Sequence, residues 1–207
     1  MQVIFRPLKI GVLLSAIFIL IFLFVTCDFL NNNHDFEPTG TSYTLNSNIE
    51  LIQIQESQTN YNPTGAFSLD FICRSRTNNQ EVATLPAGLF LLAQNKKIQN
   101  TIIVKDFFVS AADRVDTITL GAFSVNEFKS LPGDSDFYSI GPVTDHPDLI
   151  RIIDIVKTKL LNSSNVLTVQ HAIYQVTSND SLSSAMVESL NLIPDSLPAF
   201  IAEAKNH

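Results

Sequence analysis

Few side chains in this sequence have the type and spacing that chemistry needs. The four histidines are His34, His146, His171 and His207. None stands four residues from another or beside a CxxC pair, so a zinc site would need ligands gathered from distant segments. No GxSxG, HExxH, phosphate-loop or dinucleotide glycine pattern occurs. Asp134-Ser135-Asp136 opens like a calcium loop but lacks the glycine at its sixth place and the acid at its twelfth. Asp113, Asp116, Asp134 and Asp136 are the acids that glycosidic chemistry would draw on, since such hydrolysis needs two carboxylates at a set separation. Acids in turns are ordinarily solvated, which argues against a hydrolase built on these dispersed residues. Cys73 alternates with phenylalanines on the apolar face of an expected strand. A thiol buried there is packing, because reactivity needs thiolate and access.

The stretch Thr168-Val169-Gln170-His171-Ala172-Ile173-Tyr174 carries the most information. Upstream lies Gly121-Ala122-Phe123-Ser124-Val125-Asn126, with an aromatic residue next to a hydroxyl. Together these segments resemble the bacterial thioester domains of cell-surface adhesins, whose TQxAIW segment supplies a glutamine that bonds to a cysteine at a strand end. Gln170, Ala172 and Ile173 match that segment, Val169 replaces its threonine and Tyr174 its tryptophan. The order of strand, Pro132-Gly133 loop, Tyr138, helix and glutamine helix also fits, over about a third of the chain. Ser124 stands where the cysteine would be. The resemblance therefore implies a degenerate pair, Ser124 and Gln170, on a scaffold disabled for covalent capture, because an ester acylates amines far less readily than a thioester. Without the resemblance, Gln170 is a buried amide hydrogen-bonded at a helix–sheet junction.

The N-terminus supplies a second resemblance. Arg6 and Lys9 precede an apolar run from Ile10 to Val25, and Thr26, Cys27 and Asp28 follow at once. Basic residues before the run, with Asp28, Asp35 and Glu37 after it, orient the N-terminus toward the cytoplasm. Sixteen apolar residues span roughly 24 Å as a helix, short for a crossing and long for a cleavable core. The segment Leu23-Phe24-Val25-Thr26-Cys27 resembles a bacterial lipoprotein signal, which implies lipidation of Cys27. It departs from that pattern in having Phe24 in the leucine place and Thr26 in the small-residue place. A signal-anchor helix and a cleaved leader are the alternatives.

Beyond residue 26 the chain holds 11 basic and 20 acidic side chains, a net of −9, against −7 for the whole sequence. A body so charged repels phosphate backbones, which argues against nucleic-acid binding. Two cysteines cannot make a disulfide framework. Asn162-Ser163-Ser164 and Asn179-Asp180-Ser181 fit the glycosylation sequon, which a lipid-anchored bacterial chain would not normally use.

The elements that must position these residues follow from periodicity. After the signal peptide or anchor at 1–26, residues 27–42 are polar, with Pro38 and Gly40, and read as a flexible tether. Between 43 and 130 short strands alternate with turns: Ile49–Gln55, Phe67–Cys73, Glu81–Leu85, Leu89–Gln94, Ile102–Val109 and Thr117–Leu120. That pattern predicts an antiparallel β-sandwich or barrel. From 131 to 207 the period becomes helical. Leu149 to Leu160 starts near Asp145, Pro147 and Asp148, and Val166, Val169, Ile173 and Val176 share one face. Ser181–Leu192 supports a third helix and Leu197–Ala204 a fourth. The expected fold is α+β, strands first and a packed helical segment last.

The function these features favour is a cell-envelope module that binds or supports without catalysis. It would be anchored to the membrane through its N-terminus, with the body on the periplasmic or extracellular side and a protein or glycan as partner. No cofactor is implied. A thioester-type adhesin domain that has lost its cysteine comes second.

Overall fold

The computed structural model describes residues 35–58, 61–133, 135–178 and 180–196. Cys27, the apolar run before it, Asp134 and the expected helix at 197–204 lie outside them. The described chain is α+β: a multi-stranded antiparallel sheet comes first and helices follow.

Among the described residues nine strands are formed: β1 (Gly40–Thr41), β2 (Ile49–Glu56), β3 (Phe67–Ser75), β4 (Glu81–Leu85), β5 (Leu89–Ala93), β6 (Thr101–Ile102), β7 (Phe107–Ala111), β8 (Asp116–Ser124) and β9 (Tyr138–Thr144). Seven of them pair in the order β1-β9-β5-β6-β8-β3-β2, while β4 and β7 form a separate ribbon. Every pairing between these strands is antiparallel. An isolated antiparallel bridge also links Gln55, in β2, to Phe137, just ahead of β9.

Alternation along these strands sorts side chains into two cores. Leu69, Phe71, Cys73, Leu91, Leu120 and Ala122 occupy one, fully buried. Phe90, Ile102, Phe123 and Val125 occupy the other, where the helices pack. The helices are α1 (Pro147–Val156), α2 (Val166–Thr177) and α3 (Ser184–Asn191). In α1, Pro147 opens the first turn and Leu149, Ile152, Ile153 and Val156 are buried. In α2, Val166, Val169, Ile173 and Val176 form the buried face that the periodicity predicts. The first turn of α3 is capped by Ser183, whose Oγ accepts from Met186 N at 3.2 Å.

Four features differ from the sequence expectations. Ile102–Val109 is two elements, because the chain turns at Lys105-Asp106, where Asp106 Oδ1 accepts from Ala87 N at 2.8 Å. Tyr138–Thr144, expected in the helical part, is the strand β9 between β1 and β5. Gly141 and Pro142 mask it in sequence. They fall where the β5–β9 register slips, and a bulge tolerates a residue that cannot donate. The first helix stops at Val156, four residues short, and leaves Leu160 exposed. Finally, residues 35–42, expected within a loose tether, are bound to the body. Asn126 Nδ2 donates to Asp35 Oδ1 (2.7 Å) and to Phe36 O (2.9 Å), and Lys129 Nζ pairs with Asp35 at 2.7 Å. The Phe36 ring packs 6.0 Å from that of Phe90, and β1 joins β9.

Candidate functional site: the Ser124–Gln170 junction

Ser124 ends β8 and Gln170 sits at the middle of α2, on its buried face. The two residues meet. Ser124 N donates to Gln170 Oε1 at 2.9 Å, and Gln170 Nε2 donates to Ser124 O at 2.9 Å. Both residues are buried, Ser124 completely.

The reason for this contact lies in the sheet. Strand β3 begins at Phe67, opposite Ala122, so the β3 ladder ends two residues before Ser124. On the other side of β8, Thr101 stands opposite Ser124 and Val125 N donates to Asn100 O. The β3-facing N–H and C=O of Ser124 would be orphaned in the core. Buried backbone groups must be paired. A primary carboxamide carries one acceptor and two donors, and so can stand in for one more strand residue. Gln170 does so, extending the ladder by one step from the helix layer.

The hydroxyl of Ser124 is used differently. Its Oγ accepts from Asn126 N at 3.2 Å. Phe123 and Val125 face the helices, whereas Leu120 and Ala122 belong to the other core, so alternation turns the Ser124 side chain away from the helix layer. The carboxamide is thus tied to the backbone of Ser124 and the hydroxyl to the next turn.

Asn126 links this junction to the start of the body. It is 5% exposed, its Oδ1 accepts from Asn100 N at 2.9 Å, and its Nδ2 holds Asp35 and Phe36. Neither Asn126 nor Asn100 carries a sequence signal, because an isolated asparagine in a turn is ordinary. The residue missed next to it, Gln99, donates from Nε2 to Lys129 O at 2.9 Å.

Other candidate residues lie elsewhere. Asp116 opens β8 at the end opposite Ser124, where Oδ2 accepts from Ala112 N and Oδ1 pairs with Arg114 at 3.2 Å. Asp136 lies just ahead of β9, where its carboxylate accepts from Gly133 N and Asn95 Nδ2. These contacts are separate, and no hydrogen bond or ion pair among the described residues joins Asp113 or Asp116 to Asp136. His171 is exposed on α2. His146 precedes α1, with its ring 6.2 Å from Phe36 and Nδ1 buried without a hydrogen-bond partner. Cys73 is fully buried, and desolvation, with Asp116 adding to it, pushes its thiol up to about 11. Among the described residues no three His, Cys, Asp or Glu side chains group as metal ligands would. No protein-family model, curated protein or solved structure matches the chain.

Proposed function

We propose that this chain is a membrane-anchored module of the cell envelope, body outside, that binds a protein or glycan or supports envelope structure without catalysis. The observation that carries the reading is the N-terminal charge pattern, Arg6 and Lys9 before Ile10–Val25 and acids after it, ahead of a strongly acidic body. The docking of Asp35 and Phe36 supports it, since a body moored through its N-terminus has reason to fix its point of entry. The Gln55–Phe137 bridge supports reading the large sheet as one that curls toward a closed barrel. The test is fractionation of the full-length chain from a bacterial host, with lipid labelling and Cys27→Ala as control. The expected product sediments with membranes, resists alkaline extraction and is digested by protease added outside. Full-length chain in the cytosol would refute the reading.

The junction favours a second reading, a thioester-type scaffold that has lost its cysteine. Its support is that Ser124 and Gln170, the positions the resemblance pairs, are hydrogen-bonded neighbours. An ester would require Ser124 Oγ to attack the Gln170 carboxamide carbon and expel ammonia. The expected intact mass is the unmodified one, and Ser124→Cys is the informative variant. Loss of one ammonia in that variant, followed on treatment with methylamine by addition of one methylamine and release of the thiol, would speak for the scaffold. An unchanged mass would leave a plain helix–sheet clamp.

A further inference from the structure

One surface feature at the Ser124 end is left without a role. The chain leaves β8 through a tight turn, Asn126 to Lys129, closed by Lys129 N donating to Asn126 O at 3.2 Å. Phe128, at its corner, is 66% exposed, and Leu131 beyond it is 62% exposed. Neither is exposed through slackness. Ser130 N donates to Lys97 O and Gln99 N to Ser130 O, Gln99 Nε2 holds Lys129 O, and Pro132 is buried. A rigid loop that presents two large apolar side chains to solvent calls for something to cover them.

Where the chain enters the body says what that is. Asp35, the first described residue, pairs with Lys129 and accepts from Asn126, the two ends of this same turn. From Cys27 to Asp35 is eight residues, a reach of at most about 28 Å fully extended. Lys96 and Lys97 are exposed on the neighbouring strand connection, beside Ser130. They are two of the 11 basic residues beyond residue 26, and the acids of this region are Asp35 on Lys129, Glu127 in the turn and Asp136, which accepts from Asn95.

We propose that the 126–131 loop is a membrane contact: Phe128 and Leu131 dip into the lipid interface, with Lys96 and Lys97 among the phosphates. Long basic side chains reach headgroups while apolar neighbours sit deeper. The contact orients the body, with its Ser124 end toward the bilayer and the Asp116 end outward. It rests on the anchored reading above.

The sequence contains no tryptophan, so one introduced indole reports alone. Full-length Phe128→Trp is reconstituted in phosphatidylcholine–phosphatidylglycerol vesicles with or without acyl chains brominated near the headgroup. Phe108→Trp is the control, 74% exposed on β7 at the Asp116 end. Bromolipid is expected to quench the indole at 128 several-fold and to leave that at 108 unchanged. Equal quenching at both positions, or none at 128 in chain that floats with the vesicles, overturns the contact and leaves the anchor standing. An indole at 128 that shifts to the blue with rising protein density, unquenched by bromolipid, also overturns it, in favour of a second copy. Chain that stays out of the vesicles altogether defeats the anchored reading and the contact with it.

Discussion

Gln170 and Ser124 are joined by two hydrogen bonds of 2.9 Å that run in opposite directions, from strand to side chain and from side chain to strand. The pairing uses the backbone of Ser124, so it is indifferent to which side chain position 124 carries. Energetic weight therefore falls on Gln170. Gln170→Leu should cost about 2–4 kcal/mol, since it orphans a buried N–H and a buried C=O. Ser124→Ala, which removes only the bond to Asn126 N, should cost about 1 kcal/mol. Urea unfolding of the two variants gives the order. A larger loss at Ser124 would point to a bond between the side chains.

Asn126 makes the complementary prediction. Its side chain bonds Asn100 N, Asp35 and Phe36 at once. Asn126→Ala should lower stability by about 2–3 kcal/mol, by unsatisfying a backbone donor and freeing the N-terminal arm. Amide exchange at 36–41 should rise in the variant more than exchange in α2. If the arm stays protected, Phe36 packing on Phe90 holds it without the amide.

Cys73 gives a prediction in pH. Its thiol is raised to about 11 from an ordinary value of 9.0 by burial. The folded chain therefore keeps a proton that the unfolded chain sheds, and stability should fall as pH rises from about 9 through 11. Below pH 9 the contribution is fully present. Cys73→Ala should flatten that alkaline slope. At pH 8, in a Cys27→Ala background, a thiol reagent should leave Cys73 untouched until denaturant is added.

How much of this was legible depended on whether a residue's role is local. Leu69, Phe71 and Cys73 show their burial through alternation, and Val169, Ile173 and Val176 through helical spacing, because each pattern is set by its own element. Gln170 stands out in sequence by resemblance. What it bonds depends on where β3 ends, which no spacing near residue 170 encodes. Strand β9 was hidden by Gly141 and Pro142, residues that normally break a ladder. Asn126 and Gln99 carry no charge and no period, so the network that ties the arm to the loop becomes visible only when residues 35, 100, 126 and 129 are side by side.

The same ladder end yields a prediction about glycine. Gly65 and Gly121 lie against each other where β3 approaches β8. A Cβ on Gly65 would sit 2.2 Å from Ala122 N, and one on Gly121 would sit 2.5 Å from Thr64 Oγ1 and 2.7 Å from Gly65 N. Neither glycine is required by a positive φ; the demand is for close approach of backbones. Gly65→Ala must push β3 away from β8, with a cost of about 2 kcal/mol or more. Because Gln170 takes over pairing just past this contact, the shift should also loosen Ser124 N. Gly133→Ala is the matched control, with its nearest neighbour at 3.7 Å, and should be close to neutral. Denaturant midpoints with amide exchange at Ser124 distinguish the cases. Wild-type exchange there in a destabilised Gly65→Ala would mean that the Gln170 pair and the β3 contact hold Ser124 independently.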